Sequence, residues 1–242
     1  MASTWVPLAR VTELGEFDVH VWRVPVEAES ALASANGDEL NQRERETAER
    51  FAHRIDRDRY WASHIGLRRI LGGYVGVDPA ELQFEFGNAN KPFLAGNGPM
   101  PRFSLSHSGG WAIIAVAQTP LGADVECPRD LANLDLMVTR WCTPRERRLI
   151  QTLSEADQLQ AFFKCWTGKE AILKGVGCGL HSDANLLDVL SDDDERQAVV
   201  PRSIDAAPWQ VRWFDVDASH SGAIATRPRT TITTFFELPD AT

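Results

Sequence analysis

The chain has 242 residues, 43% of them hydrophobic, and a formal net charge of −9 at pH 7. This length and apolar content suffice for one large domain or two domains of about 120 residues, which excludes a disordered chain. The acidic charge excludes a general nucleic-acid binder, because such proteins normally carry a basic excess.

Residues 1–10 do not resemble a signal peptide, and the longest apolar run, residues 111–117, is too short to span a bilayer. The four cysteines have no Cys-x-x-Cys spacing, which argues against a zinc knuckle or a redox motif. We therefore predict a cytoplasmic protein with reduced thiols and with neither a nucleic-acid nor a membrane partner.

The first half of the chain is predicted to combine a helical region with short strands. The helical region covers about residues 40–72, and the strands lie near residues 18–24, 83–86, 102–105 and 112–117. Eight arginines fall between residues 41 and 71, interleaved with acidic residues. Such a segment is most often a solvated helix face with local ion pairs, although the planar fork of arginine also suits phosphate.

The motif Gly122-Ala123-Asp124-Val125-Glu126 opens the second half. Alternation in an extended segment places Asp124 and Glu126 on one face of a strand and Val125 on the other. Two carboxylates on one strand face form a hard-oxygen site that suits magnesium. The same pattern is more often a solvated strand end, so by itself it leaves both interpretations open.

Two helices and three strands follow this motif. Thr143 opens the first helix with Thr-Pro-x-Glu, a capping box with proline at the first helical position. The second helix covers about residues 155–175, where a cluster of glycines ends it. An acidic run at residues 191–195 predicts a solvated hairpin or insertion over residues 182–199. Strands are predicted near residues 209–216, 222–226 and 231–237.

Four side chains share one face of the longer helix, because they follow one another at four-residue steps: Phe162, Trp166, Glu170 and Lys174. A Glu and a Lys at this spacing usually form only a surface ion pair, which contributes roughly 0.2–0.5 kcal/mol. Together with the acidic strand, however, the pair suggests three carboxylates and one lysine around a divalent metal and a phosphate.

The pattern Trp-Thr-Gly-Lys-Glu-Ala-Ile-Leu-Lys occupies residues 166–174, downstream of the acidic strand. The chain thereby resembles the larger, Sfp-like 4'-phosphopantetheinyl transferases, which combine Gly-[Ile/Val]-Asp-[Ile/Val]-Glu with Trp-[Ser/Thr]-x-Lys-Glu-[Ala/Ser]-x-x-Lys. Ala123 stands where this family usually has a branched aliphatic residue. The resemblance spans roughly residues 45–180, since three further motifs match: Asn90-Lys91-Pro92, Ser104-Leu105-Ser106-His107-Ser108 and Thr143-Pro144-Arg145-Glu146.

The resemblance implies an α+β fold of two similar halves related by a pseudo-twofold axis, residues 1–118 and 119–242. One active site is expected in the cleft between them, because the carboxylates occur only in the second half and Leu67 lies near the place equivalent to Glu170. An internal echo between residues 106–115 and 219–225 agrees with a duplication. The pseudo-dimer supplies both sides of the cleft, so we expect a monomer.

The implied activity is transfer of the 4'-phosphopantetheine group from coenzyme A to a serine of an acyl or peptidyl carrier protein, with release of adenosine 3',5'-bisphosphate. Asp124, Glu126 and Glu170 are the implied ligands of Mg2+, for which Mn2+ is an alternative. Glu170 is also the implied general base, acting directly or through a metal-bound water. Lys174 would stabilise or protonate the leaving group.

The family also implies which residues hold the phosphates of coenzyme A. By position they are Arg45, Arg50, Lys91, Ser106, His107 and Lys169. Thr47 stands at one place where a basic residue is expected, so the phosphate clamp departs from the family pattern.

The carrier protein is expected to dock along residues 175–187. Their apolar side chains are available to receive a carrier helix, with a buried core as the equal alternative: Val176, Leu180, Leu186 and Leu187. Two rival functions fit the same motifs, namely another Mg2+-dependent nucleotide phosphotransferase or hydrolase and a catalytically inactive carrier-binding module. The length of the ordered match opposes the first rival. The presence of all three carboxylates and Lys174 opposes the second.

Overall fold

The computed structural model describes residues 3–8, 11–27, 37–179, 182–191, 193, 195–230 and 232–239. Its α-helices are α1 (Gln42–Glu49), α2 (Arg54–Val75), α3 (Leu134–Trp141), α4 (Pro144–Gln151) and α5 (Glu155–Val176). Short 3-10 helices cover Pro79–Glu81, Asn88–Asn90 and Ser182–Leu186.

Along the chain, the strands of the first half lie on either side of α2, and those of the second half lie on either side of α5. They are β1 (Val6–Pro7), β2 (Asp18–Pro25), β3 (Phe84–Phe86), β4 (Pro92–Leu94), β5 (Arg102–Ser108), β6 (Trp111–Ala117), β7 (Leu121–Glu126), β8 (Glu195–Ala198), β9 (Trp209–Asp215), β10 (Ser221–Thr226) and β11 (Ile232–Glu237).

Two sheets contain most of the strands. The first has the order β1-β11-β2-β6-β5 and the second β7-β10-β9-β8, while β3 pairs with β4. Each sheet repeats one arrangement, in which a strand is followed by a 22-residue helix and two more strands, the last lying between the other two. These elements are β2, α2, β5 and β6 in one half and β7, α5, β9 and β10 in the other. The predicted α+β class is confirmed, and the pseudo-twofold axis stays a prediction.

The two halves pack through their sheets. A buried apolar cluster joins Val19 and Ile113 of the first sheet to Ala123 and Val125 of the second. α2 packs on the other face of the first sheet, and α5 on the other face of the second. The edge strands β5 and β7 lie side by side, where the backbone N–H of Ala123 donates to Ser104 Oγ (2.9 Å). This seam positions the site described below.

The predicted helical region at residues 40–72 consists of two helices, and the second continues to Val75. Asn41 and Glu44 form a capping box at the start of α1, and Arg50 ends it. α2 begins after His53 in extended conformation and ends at Gly76, whose φ of 69° is left-handed. Residues 50–53 contain neither Gly nor Pro, so the sequence carries no breaker signal there. The capping box predicted at Thr143 is confirmed.

β11 belongs to the first sheet, although the sequence assigned it to the second half. It lies between β1 and β2 and runs parallel to both. Its Phe236 packs on Trp22 with ring centroids 4.7 Å apart. An alternating pattern predicts a strand but does not say which sheet edge the strand joins, so sequence reasoning could not place it.

Only part of the internal echo joins residues that are structurally equivalent. By strand order β10 corresponds to β6, so residues 112–115 and 223–225 lie in equivalent strands. His107 lies in β5, before the turn at Gly109, whereas His220 directly precedes β10. The likeness of the halves therefore rests on the repeated order of strands and helix, and the two histidines are not equivalent.

No helix within the described ranges is both long enough and apolar enough to cross a membrane. The cysteines Cys127, Cys142, Cys165 and Cys178 are free thiols.

Gly122 lets β7 approach α5 closely. A Cβ at this position would lie 1.9 Å from the carbonyl oxygen of Ala171 and 2.3 Å from the backbone N of Gly175. Neither backbone atom can rotate away, so we expect Gly122→Ala to separate the strand from the helix and to lower the free energy of unfolding by about 1–3 kcal/mol. Chemical denaturation would measure this loss. Gly87→Ala is the matched control, because its Cβ would meet only ordinary contacts at 3.8 Å; equal midpoints for both variants would contradict the prediction.

Candidate active site

The acidic face of β7 meets the functional face of α5. Ala123 and Val125 point into the core between the sheets, while Asp124 is buried on the opposite face and only 4% exposed. The predicted alternation of the strand is therefore confirmed. On α5, Trp166 and Lys174 both donate to carboxylates of β7, as their shared helical face predicts.

Asp124 and Lys174 form an ion pair at the seam between the halves. Lys174 Nζ lies 2.7 Å from Asp124 Oδ1 and donates to Ser106 Oγ at 2.8 Å. Ser106 Oγ in turn donates to Asp124 Oδ1 at 2.7 Å. Ser106 belongs to β5, so this triangle ties the first half to the acidic strand. Asp124 Oδ2 is buried and has no hydrogen-bond partner among the described residues.

Glu126 is held by one donor from each half. Trp166 Nε1 donates to its Oε1 (3.1 Å) and Ser108 Oγ to its Oε2 (3.2 Å). Burial and the neighbouring Asp124 carboxylate raise the pKa of Glu126, because together they outweigh these hydrogen bonds. The two hydrogen bonds thus fix the orientation of the Glu126 carboxylate, but they do not fully stabilise its negative charge.

Glu170 is the most strongly perturbed carboxyl group of the site. Its side chain is buried, with the residue 5% exposed, and its Oε1 has no partner among the described side chains and backbone groups. Burial, with the charges of Asp124 and Glu126, raises its pKa to about 7, and Lys174 offsets only part of this. A carboxyl group with such a pKa can accept or release a proton near neutral pH.

The donor chemistry of these three carboxylates fits a hard divalent cation. Every donor is a carboxylate oxygen, two of the oxygens are buried without a partner, and the three negative charges repel one another. The three carboxylates do not form a tight cluster, however. Of the described residues, Asp124, Glu126 and Glu170 do not bring one oxygen each within 4.8 Å of the other two.

Two basic side chains from the first half, His107 and Arg59, lie beside this site. The side chain of His107 on β5 is exposed at its surface. Its pKa is nevertheless lowered by partial desolvation of the ring and by the positive charges of Lys174 and Arg59. Arg59 of α2 has a buried Nε without a partner in the described part of the chain. It was not among the predicted site residues, because nothing in the sequence distinguishes it from the seven other arginines nearby.

Lys91 lies where the two halves meet at the other end of the seam. Its Nζ donates to the carbonyl oxygens of Leu121 (3.2 Å) and Gly175 (2.9 Å). Burial, with the repulsion of Arg102, lowers its pKa to about 8. Lys91 and Lys174 both line a cavity of about 240 Å3, whose other walls include Leu105 and Leu173.

Two family models together match most of the chain. One, described as 4'-phosphopantetheinyl transferase, N-terminal, covers residues 22–119, and the other, the 4'-phosphopantetheinyl transferase superfamily, covers residues 120–226. The chain is 35% identical over 185 residues to 4'-phosphopantetheinyl transferase HetI of Nostoc sp., which covers 74% of this chain and 77% of that protein. The chain belongs to the 4'-phosphopantetheinyl transferase superfamily.

Further transferases of this superfamily are similar over comparable lengths. A 4'-phosphopantetheinyl transferase of Bacillus subtilis is 28% identical over 76% of this chain and 81% of its own length. The 4'-phosphopantetheinyl transferase Sfp of Bacillus subtilis strain 168 is 25% identical over the same shares. The resemblance inferred from the motifs is therefore confirmed.

Lys169 is a correction to the predicted phosphate contacts of this phosphopantetheinyl transferase. The residue is 1% exposed, and its Nζ pairs with Glu146 Oε2 (2.6 Å) and donates to the carbonyl oxygens of Trp141 (2.7 Å) and Ala184 (3.0 Å). All three N–H donors of the ammonium group are engaged inside the protein, so none is left for a phosphate.

Glu146 belongs to the one cluster of potential metal ligands found among the described residues, with Cys142 and Cys165. Its oxygens already accept hydrogen bonds from the backbone N–H groups of Thr143, Val189 and Leu190, besides the Lys169 ion pair. Each Glu146 oxygen thus has two donors, so neither is left free to bind a metal ion. The cluster is therefore a structural centre of this transferase and not a metal site.

Arg45 and Arg50 lie at the surface, on α1 and at its end. Arg45 Nη1 donates to the carbonyl oxygen of Gly37 at 3.3 Å. Within the described residues, neither arginine contacts the carboxylates or His107, so their roles stay predictions.

The predicted docking segment is partly core. Leu187 is fully buried and Val176 packs against the core of the second half, which favours the buried-core alternative for both. Leu186 is 49% exposed and stays a candidate for carrier contact. Leu180 lies outside the described residues. β8 pairs with β9, so part of the predicted insertion is a strand of the second sheet.

Proposed function

We propose that the chain transfers the 4'-phosphopantetheine group from coenzyme A to a serine of an acyl or peptidyl carrier protein, with Mg2+ or Mn2+, and releases adenosine 3',5'-bisphosphate. The observation that carries the proposal is the pairing of Glu170 and Lys174 on one helix with Asp124 and Glu126 on the facing strand. Membership of the superfamily supports the same reaction.

The reaction needs a base on one side of the phosphorus and positive charge on the other. The serine oxygen forms a bond to the phosphorus that carries pantetheine, and the bond from that phosphorus to the oxygen of the adenosine phosphate breaks. The serine proton must leave as its oxygen attacks. Glu170 is our candidate acceptor, because a pKa of about 7 leaves a large fraction of the group ionised at neutral pH.

Lys174 is our candidate for stabilising the departing adenosine bisphosphate. An ammonium group has three N–H donors, and two of them are directed at Asp124 and Ser106. The third is available for an oxygen of the leaving phosphate, whose negative charge grows as the bond breaks. The ion pair with Asp124 holds the Lys174 ammonium group in place.

Asp124, Glu126 and Glu170 would hold the metal. When bound, the cation would neutralise part of the charge of the diphosphate and stabilise the charge that develops on it. Without that positive charge, the three carboxylates would repel an incoming diphosphate. Hard oxygen donors accept Mg2+ and Mn2+ alike, and both fit the proposal.

We propose that the two halves, divided at the predicted boundary between residues 118 and 119, have different functions. The first half would bind the phosphates of coenzyme A through His107, Ser106 and Lys91, together with Arg59. Lys91 has one N–H donor beyond the two that bond backbone carbonyls. The second half would supply the metal ligands, Glu170 and Lys174. A monomer suffices, because both walls of the cleft come from one chain.

Intact mass spectrometry of an apo carrier protein tests the proposal. After incubation with the enzyme, coenzyme A and Mg2+, we expect the carrier to gain the mass of one phosphopantetheine group, and we expect a chelator to abolish the gain. Release of nucleotide from coenzyme A without any carrier would favour the hydrolase alternative. Binding of coenzyme A without transfer to carriers of fatty acid, polyketide or peptide synthesis would favour the inactive module.

A further inference from the structure

His220 is fixed beside the seam between the two halves. Its Nδ1 lies 2.9 Å from Asp217 Oδ1, and its backbone N–H donates to the same oxygen (2.8 Å). Asp217 Oδ2 accepts a hydrogen bond from Trp111 Nε1 (2.7 Å), and Trp111 belongs to β6 of the first half. Asp217 therefore anchors the imidazole ring and the first half at once.

The other ring nitrogen of His220 faces a turn of the first half. Nε2 has no hydrogen-bond partner among the described residues, and water does not reach it, because the residue is only 8% exposed. A Cβ on Gly109 would lie 2.3 Å from this nitrogen, and Gly109 has a φ of 56°. Both the close approach and the left-handed backbone require glycine there. A buried nitrogen without a hydrogen bond costs stability, so its retention calls for an explanation.

The contact lies between the two segments that hold Glu126. Ser108 directly precedes Gly109, and its Oγ donates to Glu126 Oε2 (3.2 Å) and accepts from the backbone N–H of Cys127 (3.1 Å). Ser221 directly follows His220 and pairs in register with Glu126 across β10 and β7. A displacement of either segment would change the orientation of the Glu126 carboxylate.

We infer that His220 is a positioning residue whose ring holds the Gly109 turn at the distance at which Ser108 orients Glu126 toward a cation. The inference rests on the proposed metal site. The groups that orient a metal ligand commonly change the affinity for the metal 10- to 100-fold when they are lost. His220 would act in this way through the turn, without touching substrate or metal.

The inference is tested by measuring Mn2+ binding to the folded enzyme with coenzyme A present. Electron paramagnetic resonance of the free ion would detect the binding. We expect His220→Ala and Gly109→Ala each to raise the Kd for Mn2+ by about tenfold. The double variant should be no weaker than the weaker single variant, because both changes break the same contact. His20→Ala is the matched control: His20 is similarly buried at 4% exposed but contacts Tyr74 at 2.6 Å, away from the carboxylates. It should lower the Tm and leave the Kd unchanged.

The outcomes separate this inference from the metal assignment. Wild-type binding that Asp124→Ala does not weaken would overturn the metal site, and the inference with it. Binding that Asp124→Ala abolishes, but that His220→Ala and Gly109→Ala leave within twofold of wild type, would overturn the inference alone. If His220→Ala does not fold, His220→Gln decides, because it keeps a polar side chain at this position and leaves the Gly109 backbone unstrained.

Discussion

Glu170→Gln is expected to abolish phosphopantetheine transfer while the protein stays folded. The amide cannot accept the serine proton, and loss of a positioned base alone costs about 10²–10⁴-fold in rate. Its stability should be unchanged or higher, since burial and the charges of Asp124 and Glu126 oppose ionisation of the native carboxyl group. Single-turnover transfer to an apo carrier would measure the first effect and thermal denaturation the second.

Glu155→Gln is the control for this prediction. Glu155 lies on the same helix but is exposed in the first turn of α5, so its variant should keep wild-type transfer. Full activity of Glu170→Gln with a normal metal dependence would remove Glu170 from the mechanism. Lost activity together with a lower Tm would instead assign it a structural role.

Lys169→Met is expected to lower the free energy of unfolding by about 3–5 kcal/mol, because it leaves the Glu146 carboxylate buried without its counter-ion. The two side chains are 1% and 0% exposed, so water cannot compensate. Denaturant unfolding would measure the loss. Lys164→Met, on the same helix, is the control and should cost less than about 1 kcal/mol, since Lys164 stacks over Trp213 near the surface.

The pH dependence of Lys169→Met distinguishes this cause from lost packing. Burial alone would raise the pKa of Glu146, but Lys169 and the backbone N–H donors lower it below its usual range. A lowered carboxyl pKa stabilises the fold above the unfolded-state pKa, and that stabilisation is lost as pH falls through the folded-state pKa. The deficit of the variant should therefore be largest at pH 7 and shrink below about pH 4.

A second substitution should recover part of this loss. Glu146→Gln removes the unpaired charge, so the double variant with Lys169→Met should be more stable than the sum of the single effects predicts. Additive losses, or a deficit independent of pH, would contradict an ion-pair role. An increase in the KM for coenzyme A without a loss of stability would return Lys169 to the phosphate contacts.

The sequence was sufficient wherever local periodicity decides the outcome. Alternation placed Asp124 and Glu126 on one face of β7, and four-residue spacing placed Trp166, Glu170 and Lys174 toward that strand. Cap chemistry located the start of α4 at Thr143. These features depend on neighbours within a few residues, which a single sequence displays directly.

The sequence was insufficient wherever a partner distant in the chain decides the outcome. The position of Lys169 within the motif is the same whether its side chain faces a phosphate or Glu146. Only the packing of α4 against α5 shows that this side chain is buried. Arg59 differs from its neighbours in lying close enough to His107 to lower the pKa of that histidine, which depends on how α2 lies on β5. The edge that β11 joins is another property of the assembled sheets and not of the strand itself.

The insertion of β11 between β1 and β2 also bears on synthesis of the protein. β11 and β2 lie near opposite ends of the sequence. Arg23 and Glu237, which are paired in register, are 214 positions apart. While the ribosome is still making the second half, β2 lacks one of its neighbouring strands. Pairing over such long separations slows folding, and the emerging first half would meanwhile carry an open sheet edge that other chains can join. Expressed alone, residues 1–118 should therefore aggregate, and adding residues 232–239 as a separate peptide should restore solubility.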